Sequence, residues 1–91
     1  MITRKKLYAG IDLGDRRNVF HILDKDWNVF SKGKFPNTPE HFIEFSEQHP
    51  NAVIVIEVGT HSPWISRLLE GRGHTVFVAN ARKLRAIYVN T

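Results

Sequence analysis

The sequence predicts an α/β domain on one mixed sheet: three antiparallel strands, then two parallel strands with intervening helices. Three short apolar or alternating runs come first, separated by tight polar turns at Gly14-Asp15 and Asp24-Lys25-Asp26. Two later apolar runs, residues 52–56 and 75–78, lack polar alternation and flank a segment of helical period. That is the pattern of strands covered on both faces.

Each element has a local cause. Residues 7–13 form the first strand, entering the turn at Gly14, and residues 18–23 alternate as the second. The third strand spans 27–35, with Pro36 at its end, where no ladder donor is needed. Thr38-Pro39-Glu40 supplies an N-cap, a proline at the first helical position and an early acid. Phe42, Ile43, Phe45 and Ser46 then share one face of a helix that ends near Gln48-His49-Pro50. After the strand at 52–56, Ser62 is expected to cap a second helix bearing Trp64, Ile65, Leu68 and Leu69, and Gly71 to Gly73 form its exit. Residues 75–78 make a fifth, buried strand, and Asn80 caps a basic helix running through Arg82, Lys83 and Arg85 to Ile87. Right-handed crossovers make the fourth and fifth strands parallel to the first.

Composition sets limits. Ninety-one residues make one small domain, with 13 Lys and Arg against 9 Asp and Glu, a net charge of +4. Hydrophobic residues at 42% allow one modest core. There is no cysteine, which excludes disulfides and thiolate chemistry. The basic start lacks the apolar stretch of a signal peptide and no run is long enough to span a bilayer, so a soluble, cytoplasmic protein is expected, with no membrane partner.

The expected topology puts the first strand between the second and the fourth. Asp12 then closes the first strand and Glu57 the fourth, on neighbours about 4.8 Å apart. A carboxylate in an apolar strand is costly without compensation, and two together suit a hard cation such as Mg²⁺ or Mn²⁺. Structural roles compete with this: Asp12 could cap the turn at Gly14, and Glu57 could pair with Arg67 or Arg85. Asp15, Asp24 and Asp26 fall in turns, as solvated charge. The five histidines lack zinc spacing and read as surface or packing residues, although His61 could lean over the same edge. Thr60 is a candidate hydrogen-bond partner for a Glu57 oxygen. Arg4-Lys5-Lys6, the pair Arg16 and Arg17, and the trio Arg82, Lys83 and Arg85 suit phosphate contact.

Gly10-Ile11-Asp12, Ile56-Glu57-Val58-Gly59-Thr60-His61-Ser62-Pro63-Trp64, Gly73-His74 and Val78-Ala79-Asn80-Ala81-Arg82-Lys83 together resemble an insertion-sequence DEDD transposase of the Piv/MooV type. The resemblance covers essentially residues 1–91 and corresponds to the N-terminal part of that family's RuvC-like catalytic domain, an RNase H-like fold. It implies that Asp12 and Glu57 are the first two acids of the DEDD set, catalytic residues binding Mg²⁺ for DNA strand cleavage and exchange. It further implies DNA partners (insertion-element ends and target), a guide RNA in some members, and a homo-oligomer for the intact protein. The family's last two acids have no counterpart before Thr91, so residues 1–91 alone are expected to be a truncated, inactive part of the domain. Leu13-Gly14-Asp15 departs from the family, where Ser or Ala followed by Lys is common. Two alternatives stand beside this: a nucleotide-binding domain of the actin-like, sugar-kinase type, opposed by Asp15 near the phosphates, and a non-catalytic nucleic-acid-binding module.

Overall fold

The computed structural model describes residues 7–79. They form a small α/β domain in the order β1 (Tyr8–Asp12), β2 (Arg17–Leu23), β3 (Val29–Pro36), α1 (Pro39–Gln48), β4 (Val53–Glu57), α2 (Ser62–Gly71) and β5 (Thr75–Ala79). The single sheet has the order β3-β2-β1-β4-β5. β1 is antiparallel to β2 and parallel to β4, β2 is antiparallel to β3, and β5 is parallel to β4. This is the arrangement expected from the order of elements. The expected basic helix, with Asn80, Arg82, Lys83 and Arg85, and the cluster Arg4-Lys5-Lys6 lie outside the described residues.

β3 begins at Val29, two residues later than its sequence pattern suggests, because the preceding turn occupies Trp27. The Asp24 carboxylate accepts from the backbone N–H groups of Asp26 (2.8 Å) and Asn28 (3.0 Å), and Trp27 takes a left-handed φ of 65°. Asp24 is thus explained by local hydrogen bonding. α1 starts as its sequence dictates: Thr38 is the N-cap, its hydroxyl accepting from the His41 N–H, and Pro39 takes the first turn. α2 differs. Ser62 is its first residue and not its cap; its Oγ turns back to donate to the Gly59 carbonyl (2.8 Å) and accept from the Gly59 N–H (3.2 Å).

Both helices pack on one face of the sheet. Ala9, Ile11, Ile22, Ile54 and Ile56 from the strands meet Phe42, Phe45, Ile65 and Leu69 from the helices in one buried core. Aromatic rings link its layers: Phe35 lies edge-on to Phe42 at 4.9 Å, and Phe42 edge-on to Trp64 at 5.7 Å. β5 is less covered than its apolar sequence suggests, with Phe77 57% and Val78 47% exposed. Among the described residues it is an outer strand, hydrogen-bonded within the sheet to β4.

Opposite the acids, at the amino ends of β4 and β5, sits a buried polar cluster. His74 Nδ1 donates to the Ala52 carbonyl (2.9 Å), which leaves Nε2 as the acceptor for the Ser46 hydroxyl (2.7 Å). Arg72 Nε donates to the same hydroxyl oxygen at 3.3 Å. One imidazole therefore ties α1 to the entries of both parallel strands. His74→Leu leaves the Ala52 carbonyl and the Ser46 hydroxyl without this partner and is expected to cost about 1–3 kcal/mol, read as a lower urea midpoint with unchanged slope.

Candidate functional site

Register brings the two acids together. Ile11 pairs with Ile56 across β1 and β4, and both are fully buried beneath the helices. The next residue on each strand is Asp12 and Glu57, and strand alternation turns both to the face opposite α1 and α2. Both are half-buried at the carboxyl ends of adjacent parallel strands, about 4.8 Å apart. Such strand ends are where open α/β sheets bind ligands.

The turn-capping role is filled by other residues. At the turn after β1, the Gly14 N–H donates to Asn18 Oδ1 (3.4 Å) and the Gly14 carbonyl accepts from Asn37 Nδ2 (2.8 Å). Asn18 is fully buried, and a side chain at position 14 would run into the Arg17 carbonyl, so this tight turn needs both its glycine and its asparagines. Asp12 is not its cap. Glu57 does not pair with Arg67, which is exposed; among the described residues the one ion pair is Arg72 with Glu47, at 3.5 Å. Arg85 lies outside the described residues.

A pocket of about 380 Å³ opens at this edge, lined by Leu13, Gly14, Asp15, Glu57, Val58, Gly59, Thr60 and His61. Glu57 lines it, whereas Asp12 does not; the β1 side of the lining begins at the next residue, Leu13. His61 borders it as expected, but its Nδ1 accepts from Trp64 Nε1 (3.1 Å). Because the indole only donates, the neutral imidazole carries its proton on Nε2, which makes it a hydrogen-bond donor and not a metal ligand. Thr60 is exposed at the outer corner of the Gly59–Ser62 turn, and no hydrogen bond joins it to Glu57. Asp15 is exposed and borders the pocket, close to the acids in place if not in role.

The pair offers carboxylate oxygens suited to a hard divalent cation. Among the described residues, no third His, Asp or Glu joins them in a group able to hold a metal. Arg16 and Arg17 are exposed, Arg16 in the turn and Arg17 at the start of β2. Sequence reading missed Asn18 and Asn37; the signal for the first was an asparagine four residues after a strand-ending glycine. No helix among the described residues is long and apolar enough to cross a membrane. Compared with known proteins, the sequence matches no family model and no curated protein.

Proposed function

We propose that this domain is the N-terminal part of an RNase H-like (RuvC-like) catalytic domain of an insertion-sequence DEDD transposase, in which Asp12 and Glu57 hold Mg²⁺ or Mn²⁺ for DNA strand cleavage and exchange. The observation that carries the reading is the in-register placement of two carboxylates on one face of neighbouring parallel strands, with no turn or ion pair among the described residues using either. The strand order supports it as well. When bound, the cation supplies Lewis-acid polarisation of a phosphoryl oxygen and a more acidic attacking water or hydroxyl. Asp12 and Glu57 orient it from two strands, and His61, donating through Nε2, suits a phosphate oxygen at the pocket wall. The reading takes insertion-element ends and target DNA as partners, a cytoplasmic location, a homo-oligomeric intact protein and, as in some family members, a guide RNA.

The nucleotide-binding alternative fares worse at the same turn. A phosphate cradle presents backbone N–H groups to its ligand, whereas the Gly14 N–H faces Asn18.

Nicking of supercoiled DNA tests the reading. A protein joining this domain to two further downstream acids is expected to nick with Mg²⁺ or Mn²⁺, and Asp12→Asn or Glu57→Gln to bring nicking below detection. Residues 1–91 alone are expected to be inactive. Nicking that survives both substitutions, or that residues 1–91 perform unaided, contradicts it.

A further inference from the structure

We infer that the face of β2 and β3 opposite α1 and α2 docks the sugar-phosphate backbone of duplex DNA and leads it to the Asp12–Glu57 edge; the inference rests on the catalytic reading above. Pairing across the sheet sets out two rows on this face. Lys34 pairs with Val19, Val19 with Asp12, and Glu57 follows on β4. The next row runs Lys32, His21, Gly10, Val55 and Phe77. Arg17 and His21 are the diagonal neighbours of Asp12 on the facing strand, about 7–8 Å away.

The side chains agree with the register. Val19, His21, Lys32 and Lys34 line one open groove of about 440 Å³. Lys32, Lys34 and Arg17 are exposed, and no acid pairs with any of them among the described residues. The opposite face is net acidic: α1 carries Glu40, Glu44 and Glu47, and α2 carries Arg67 and Glu70. A cationic face with an acid pair at its end is an electrostatic guide for a polyanion approaching a metal site.

Distance and chemistry narrow the ligand. Lys34 stands two strand spacings from Asp12, about 10 Å, which is about three nucleotides at an axial rise of ~3.4 Å per strand. Proteins that hold unpaired bases stack them on aromatic rings. Here the rings of Phe20 and Phe35 are turned into the core, and the exposed rings on the open face stand away from the lysine–acid row: Phe77 on β5, beyond the acids, and Trp27 against Tyr8, at the opposite end of β1 from Asp12. The surface therefore reads backbone phosphates of a duplex, without base specificity.

The test is equilibrium binding of residues 1–91 to a labelled DNA duplex across a salt series. Lys32→Ala/Lys34→Ala is expected to weaken affinity about tenfold at low salt and to lower the salt slope by about one per lysine. Lys25→Ala, in the exposed turn before β3, should change neither by more than about twofold. Duplex DNA should be preferred over single-stranded DNA and over duplex RNA of the same sequence. No duplex binding by the wild type, unchanged binding by the double variant, an equal loss in Lys25→Ala, or preference for either other nucleic acid overturns the inference. Mn²⁺ binding, followed in the same double variant, separates the two readings. Metal localised at the acids with lysine-independent DNA affinity defeats the docking surface alone, whereas lysine-dependent affinity without localised metal defeats the catalytic assignment alone.

Discussion

Phe42→Ala is expected to be the most damaging single substitution in the core, lowering stability by about 3–5 kcal/mol. Phe42 is fully buried on α1 and is the ring that meets Phe35 of β3 and Trp64 of α2 edge-on. Its removal opens a cavity at the junction of both helices and the sheet. A domain of this size has about 5–14 kcal/mol in total, so the loss is about a fifth of its stability or more. Urea unfolding followed by tryptophan fluorescence reads it directly, because Trp64 borders the cavity. Phe77→Ala, on the exposed outer strand, is the control and should cost well under half as much. Equal losses at the two positions would mean that the core described above is not the one that holds the domain together.

Asp12→Asn and Glu57→Gln are expected to do the reverse: to abolish divalent-metal binding while leaving stability unchanged or slightly raised. Neither carboxylate caps the turn or pairs with a described cation. Each substitution keeps the side chain's shape and removes one of two like charges on adjacent strands, a repulsion of up to about 1 kcal/mol at such separations in water. Thermal unfolding without metal checks this. A fall in Tm of more than about 5 °C in either variant means that the carboxylate has a structural partner and weakens the metal reading. Addition of Mg²⁺ or Mn²⁺ should then raise the Tm of the wild type alone.

Much of this was legible in the sequence because local chemistry decided it. Thr38-Pro39 specified the start of α1, and the β-branched run before Glu57 specified a central parallel strand, so the crossover rule was enough to set Asp12 beside Glu57. What the sequence hid depended on partners distant along the chain. Asn37 reaches back 23 residues to the Gly14 carbonyl, and Ser46 meets His74 across 28. Ser62 looked like a cap because serine before proline usually is one, yet its hydroxyl is consumed by the Gly59 turn. Lys32 and Lys34 drew no notice as a cationic surface, since a two-residue spacing becomes a shared face only when the strand's partner and register are known. The exposure of Phe77 was equally hidden, because an apolar strand reads the same at the centre and at the edge of a sheet.

A cation site at Asp12 and Glu57 is read out by titrating Mn²⁺ into residues 1–91 and following the amide NMR signals. Paramagnetic broadening is expected to centre on the turn after β1 and the loop after β4, around residues 12–15 and 57–61, and to disappear in both Asp12→Ala and Glu57→Ala. Broadening centred elsewhere, or broadening at that edge that persists in either variant, contradicts it.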